Sequence, residues 1–362
     1  MTGLDSQSGR RLRYGAYGPF QPLSAIYETA NWAEQRGLDS YWLGDRSIAF
    51  PTPDVLEAWS ALVAVATRTE RIGLGMAVTD PFRRHPAVLA QTVTALDHIS
   101  DGRALPGIGM GERVNVVPFG MPMEKKTARL QEFVELMKLY WSGEPIHFEG
   151  KYFSSKGGVL RPTPIQSPHP PVWMAGNAPR TLEVVGRVAD AWLPAALTPD
   201  MYREDLGRIR EVAAEAGRDP DAIEPGLFMY TVLHEDAGQA RETAHQLGRG
   251  IAVWWRGSLR RLGYDLGSDD LTVSNFDGSP EAMDEWLKLA EDVPAEAVDQ
   301  LVNSGDPGQL KGRMEEFVAA GVRHFVVISL DGLGDIARWK ETVTCLCDEV
   351  IPALGDRPAA VA

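Results

Sequence analysis

The sequence predicts a (β/α)8 TIM barrel, because short apolar runs and longer amphipathic runs alternate eight times along it. The apolar runs have the length of strands buried on both faces, and each precedes or adjoins a stretch with helical spacing. Parallel strands need long crossovers, and helices fill them. The 362 residues suit one barrel domain, 1–362, with insertions in its βα loops. A doubly wound open sheet shows the same alternation and stays open on pattern alone.

Strand one is read at 12–18 (LRYGAYG), and its helix at 23–36, where Ile26, Ala30 and Ala33 recur on one face. "SYWLGD" (40–45) is the second strand, with a helix over 55–66. "RIGLGMAV" (71–78) and 87–99 form the third unit, "RALPGIGMG" (103–111) and 128–141 the fourth. Runs at 171–176, 190–194, 226–233 and 324–330 complete the eight, beside helical patterns at 180–188, 201–216, 237–253 and 336–350. Two stretches interrupt the repeat. Residues 143–170 carry Gly, Pro, Tyr and Phe in hairpin-like alternation, and 257–305 is Asp- and Gly-rich with a helix around 281–290. Such long loops commonly act as lids or binding loops.

The net charge of −14 argues against nucleic acid as a partner, which would need a basic face. No apolar run approaches the ~20 residues of a membrane span, and the first 13 residues are polar rather than signal-like. Cys345 and Cys347 lie two apart in a helical pattern, point to different faces and are not expected to pair, which suits a reducing cytoplasm. The seven histidines contain no i, i+4 pair, so no metal site is expected. The expected partner is a small molecule and the expected assembly a homodimer.

In a parallel barrel the active site lies at the carboxyl ends of the strands. Those ends read Gly18-Pro19-Phe20, Asp45-Arg46, Val78-Thr79-Asp80, Gly111-Glu112, Gly176-Asn177 and Pro194. Three carboxylates there invite a glycosidase reading, yet the tryptophans sit mostly mid-strand or on helices instead of at the strand ends. "GIGMGE" (107–112) misses the dinucleotide spacing, with Glu112 where the third glycine belongs. Its glycines would let backbone approach a planar ring, and Glu112 and Asn115 offer an acceptor and an amide one turn apart. Asp80-Pro81 reads as a loop start and Arg83-Arg84 as a solvated charge pair. In "MAGNAPR" (174–180) a strand enters a turn before a helix; the helix N-terminus and Arg180 suit a phosphate, and a ligand-free cap reads equally well.

Taken in order, "GLDSYWLGD", "RIGLGMAVTDPFRRHPAVLAQTVTALDHISDGR", "GIGMGE" and "NAPRTLEVVGRVADAWLP" resemble the luciferase-like superfamily over roughly residues 12–350. The likeness is strongest to its deazaflavin (coenzyme F420)-dependent branch, and within it to actinobacterial ketoreductases and alcohol dehydrogenases acting on lipid or small carbonyl substrates. The resemblance implies a barrel mouth holding the deazaflavin ring. It implies that Asp45 contacts the ring, that a non-prolyl cis peptide at Ala77-Val78, ahead of Thr79, backs it, and that Gly111, Glu112 and Asn115 lie near ring and substrate. The turn Ala175-Gly176-Asn177-Ala178 would hold the phosphate-bearing tail. Many members carry Asp-His where this chain has Asp45-Arg46, and an arginine does not titrate in the working range. Glu112 and Arg46 are therefore the expected catalytic pair, Glu112 for positioning or proton exchange and Arg46 for stabilising negative charge. Phe20, Phe50, Trp173 and Trp192 are candidates for an apolar substrate pocket. An FMN-dependent monooxygenase of the same superfamily and a non-catalytic cofactor-binding barrel are the alternatives.

Overall fold

The computed structural model describes residues 11–48, 54–267 and 271–355, and in it the eight expected strands stand side by side in parallel. Arg13–Tyr17, Ser40–Leu43, Gly73–Met76 and Ala104–Leu105 run one way around the wall from the first strand. Gly107–Ile108, Trp173–Met174, Ala191–Trp192, Glu224–Leu233 and His324–Ser329 bring the wall back to the first strand. Closure falls inside the fourth strand. Pro106 has no N–H to give a ladder, and there the strand changes neighbours: Ala104–Leu105 pairs with the third strand, Gly107–Ile108 with the fifth. Above the break the Thr79 N–H donates to Gly107 O at 2.9 Å and the Gly109 N–H to Thr79 O at 2.8 Å. The third strand is thereby stitched to the fourth just where the mouth begins.

The barrel interior is filled by indoles. Trp42 and Trp173 meet edge to face at 5.2 Å, and a Cβ on Gly75 would lie 2.1 Å from the Trp42 ring, so only glycine leaves room for it. At the amino ends of the strands the Trp42 N–H donates to Ser40 Oγ at 2.7 Å. Ser40 Oγ lies 2.8 Å from His324 Nε2, whose Nδ1 lies 3.2 Å from Glu224 Oε1. Serine, histidine and carboxylate in this sequence have the form of a nucleophilic relay. Ser40 is fully buried and His324 nearly so, at the end opposite the mouth, and the chain serves as a satisfied polar plug.

Gly107 is a second place where a side chain has no room. A Cβ there would stand 1.9 Å from Met76 O, backbone against backbone. Gly107→Ala is expected to cost about 1–3 kcal/mol, as overpacking does, in urea unfolding followed by tryptophan fluorescence. A loss of only a few tenths would mean that the junction yields freely.

Helices cover the barrel outside, with the long apolar layer between wall and helices built on residues such as Leu62, Leu89, Phe133, Ile209 and Phe317. The insertion at 143–170 is an antiparallel hairpin, Ile146–Glu149 with Ser154–Gly158. The later insertion holds Arg256–Arg261, Pro280–Asp292, Ala295–Leu301 and a strand, Asn303–Gly305, paired to Thr231–Leu233. The helices Arg256–Arg261, Ala295–Leu301 and Pro307–Ala320 were not expected from the sequence. Pro307–Ala320 opens on a capping box of Asp306 with Gln309, buries Leu310, Met314 and Phe317, and packs beside helix Pro199–Glu215. Helix Ala237–Trp254 joins a separate apolar cluster under the insertion, with Val298 and Leu301. Cys345 and Cys347 are free, their thiols pushed up to about 12 by burial, with Glu349 adding to it at Cys345. Among the described residues no helix is long and apolar enough to cross a membrane.

Candidate active site

Asp45 ends the second strand, as expected, but it is 4 % exposed and not a surface charge. Its Oδ2 accepts from the Thr79 hydroxyl and from Arg84 Nη1 at 2.6 Å, and Arg83 Nη2 stands 3.1 Å away. Asp80 builds the turn that aims these arginines: its Oδ1 accepts the Phe82 and Arg83 N–H groups at 2.8 and 3.0 Å, and its Oδ2 accepts Arg83 Nε at 2.5 Å. Arg84 also reaches Glu57, and His85 then caps helix Pro86–Ile99, whose first position is Pro86. The expectation that Arg83-Arg84 is a solvated charge pair is thus corrected: both side chains are largely buried, locked between strands two and three. With Asp45 and Asp80 committed to guanidinium groups, no free pair of carboxylates remains among the strand ends for sugar-bond cleavage.

Arg46 points elsewhere. Its Nη2 donates to Glu112 Oε1 at 3.0 Å, and its guanidinium lies over the Phe20 ring at 5.7 Å. Glu112 Oε2 accepts from Asn115 Nδ2 at 2.7 Å. Asn115 is 2 % exposed, and its Oδ1 takes the Ser47 and Ile48 N–H groups at 2.8 and 2.9 Å, tying the loop after strand two to the loop after strand four. Its side-chain amide thus frames the two loops and holds Glu112. Burial works against the Arg46 charge, but Glu112, aided by the Tyr17 and Tyr230 phenols, outweighs it and holds the guanidinium above its usual value. Burial likewise raises the Tyr17 and Tyr230 phenols, against the opposing pull of Arg46.

The floor of the mouth is aromatic. Tyr17 meets Phe20 at 6.0 Å and Phe228 at 5.2 Å edge to face, and Phe228 meets Tyr230 at 5.6 Å. Ala77 borders the same cluster, and the Ala77-Val78 bond is cis, as the resemblance implied. The strand-four glycines serve a different purpose from close approach to a ring. A Cβ on Gly107 or Gly109 would strike Met76 O or the Val78 side chain, so these glycines make room for the strand-three end; Gly111 turns the chain at φ +79°. Trp173 and Trp192 leave the list of pocket residues, because both are buried, Trp173 inside the barrel and Trp192 against Tyr202. Phe20 remains at the mouth, and Phe50 lies outside the described residues.

At the fifth strand Ala175, Gly176 and Asn177 are partly exposed and Ala178 is exposed. Gly176 sits at φ +136°, where a Cβ would meet Thr181 at 2.5 Å. Asn177 Nδ2 donates to Ala195 O at 2.6 Å, while its buried Oδ1 has no partner. Helix Pro179–Val188 starts directly after, with no side-chain cap. Beside it lies a cleft of about 440 Å³ lined by Lys125, Lys126, Arg180 and Arg187, with Glu183 its one carboxylate. Lys125 and Lys126 were not singled out from the sequence; a Lys pair opening a helix was the available signal. The later insertion reaches this corner: the Val114 N–H donates to Phe276 O at 3.0 Å and Lys126 Nζ to Ser274 O at 2.8 Å.

The closed barrel thus carries an ion pair over an aromatic floor at its mouth, with a basic cleft nearby. The chain belongs to the luciferase-like monooxygenase family, whose model matches residues 4–324. It is 33 % identical to a phthiodiolone/phenolphthiodiolone dimycocerosates ketoreductase of Mycobacterium bovis, over 81 % of this chain and 84 % of that one. Its fold is similar to that of the coenzyme F420 dependent tetrahydromethanopterin reductase from Methanopyrus kandleri, with a TM-score of 0.79 at 24 % identity over 95 % of this chain and 99 % of that one. The oxygenating constituent of 3,6-diketocamphane monooxygenase from Pseudomonas putida, in complex with FMN, follows at 0.69 and 20 %, covering 94 % and 98 %. At such identities these likenesses establish the barrel, and the two neighbours differ in cofactor.

Proposed function

We propose that the chain is a deazaflavin (coenzyme F420)-dependent oxidoreductase that transfers a hydride between the cofactor and a carbonyl or alcohol substrate. The observation that carries this reading is the Arg46–Glu112 pair standing over the Tyr17–Phe20–Phe228 floor. A planar apolar ring fits the floor, and developing negative charge fits the guanidinium. The ketoreductase relative supports the substrate class. The basic cleft suits an anionic tail, and the unpartnered Asn177 Oδ1, an acceptor, suits a hydroxyl on it.

The deazaflavin supplies a carbon centre that gives or takes hydride and reacts poorly with oxygen. The chain supplies the rest. In this arrangement Ala77, Val78, Thr79, Gly111 and Glu112 would hold the ring, and Ala175, Gly176, Asn177 and Ala178 would hold the phosphate. Asp45 holds the frame through Thr79 and the two arginines, and Asn115 holds Glu112. Arg46 places fixed positive charge where a substrate oxygen becomes negative, at no cost in reorganisation.

Titration of the purified chain with each cofactor, followed by quenching of tryptophan fluorescence, should show micromolar or tighter binding of the deazaflavin and weaker binding of FMN. Tight binding of FMN alone would replace this reading by the monooxygenase one. Deazaflavin binding with no hydride transfer to any carbonyl compound would leave a cofactor-binding barrel.

A further inference from the structure

Resting on the functional reading above, we infer that the Tyr230 hydroxyl is the proton donor to the substrate oxygen, held in place by the indole N–H of Trp255. Tyr230 lies on the inward face of the seventh strand, at the mouth end of the interior cluster, and is partly exposed there. Its oxygen accepts the Trp255 Nε1–H at 3.2 Å, and among the described residues no acceptor takes its proton. The hydroxyl therefore has one lone pair fixed and its hydrogen left to donate.

The other polar groups of the mouth do not offer this. Glu112 has both oxygens engaged, by Arg46 and by Asn115. Arg46 keeps its proton across the working range. The Tyr17 hydroxyl is roofed by the backbone at Gly44, where a Cβ would stand 2.1 Å from it, and the residue is 3 % exposed. His234, at the end of the seventh strand, is held by Asp331 at 3.0 Å, which also takes Arg338. Burial raises the Tyr230 phenol, so it is protonated at neutral pH and stands as an acid; Trp255 and Arg46 pull the other way and stabilise the phenolate once it forms.

In the reducing direction the carbonyl carbon would gain a hydride, one proton carrying an electron pair, and the reduced cofactor that supplies it would be left oxidised. The C=O π pair moves to oxygen, the Tyr230 O–H bond breaks, and its proton joins that oxygen to give the alcohol. The phenolate left behind is neutralised by a proton from water. Oxidation of an alcohol runs the same path backwards, with the phenolate as base.

The test is Tyr230→Phe, which removes one oxygen and keeps the ring. Thermal unfolding and the deazaflavin titration should match the wild type within twofold. Reduction of 2-nonanone, followed at the deazaflavin absorbance band, should fall about hundredfold or more, the loss expected for a general acid. A rate within threefold of the wild type overturns the assignment while leaving the oxidoreductase reading intact. A fall in cofactor affinity that accounts for the lost rate also overturns it, making Tyr230 a seat for the ring. Failure of the wild type itself to bind deazaflavin overturns the functional reading, and the proton donor with it.

Discussion

Asp45→Ala is expected to lower the stability of the fold by about 3 kcal/mol, the lower end of the cost of breaking a buried ion pair. The carboxylate is the shared acceptor of three groups, the Thr79 hydroxyl and the Arg83 and Arg84 guanidiniums. Its removal strands all three in a place with little access to water. The estimate stays at the lower end because Asp80 still holds Arg83 and Glu57 still holds Arg84. An exposed strand-end charge would be worth almost nothing; Asp45 is 4 % exposed, and burial is what raises the cost. Asp45→Asn keeps an oxygen for Thr79 and loses the charge, so it should fall between alanine and the wild type. Urea unfolding followed by tryptophan fluorescence decides the matter. A shift of less than about 0.5 kcal/mol, the range of an ordinary surface change, would mean that Asp45 behaves as a solvated charge.

The barrel was legible because each unit repeats a local pattern: a short apolar run and then one apolar face at helical spacing. That is why the eight strands fall where the runs do, and why helix Pro280–Asp292 stands where the later insertion shows helical spacing. Pro307–Ala320 carried the same signal in Leu310, Met314 and Phe317, with Asp306-Pro307 to open it. Periodicity says which face of a helix is buried and not what it is buried against, so the outer position beside Pro199–Glu215 was open to either of two helices.

The candidate site was legible in its positions and much less in its partnerships. The cis bond at Ala77-Val78 and the pairing of strand-end residues Arg46 and Glu112 stand at places the sequence singled out. The grip of Arg83 and Arg84 on Asp45 spans 38 and 39 residues, and nothing in the local pattern ties such charges together. Trp173 was misplaced for a related reason. A strand shows which residues point inward, but the level of each in the barrel depends on register around the whole wall. The clue was Gly75, a missing side chain on the neighbouring strand beside Trp42.

Arg46→Ala is expected to lower turnover by more than tenfold and toward the hundredfold loss of a positioned oxyanion donor. Two effects add. The substrate oxygen loses the fixed cation that meets its developing charge, and Glu112, now held by Asn115 alone, presents an uncompensated carboxylate to the same space. The pH profile separates this from simple damage to the pocket. The Arg46 charge is present below its titration point, and Glu112 outweighs burial to push that point above the ordinary guanidinium value. Arg46 is therefore charged across the whole range in which the enzyme can be assayed, and it adds no limb near pH 6–7 where a histidine would. Glu112→Gln removes the counter-charge and keeps the shape, so it should change the form of the profile rather than scale it. Steady-state hydride transfer against pH, for the wild type and both variants, reads all of this at the deazaflavin band. A histidine-like limb in the wild type would require a titrating group other than this pair, and an unchanged rate in Arg46→Ala would leave the guanidinium as a lid on Phe20 with no part in the chemistry.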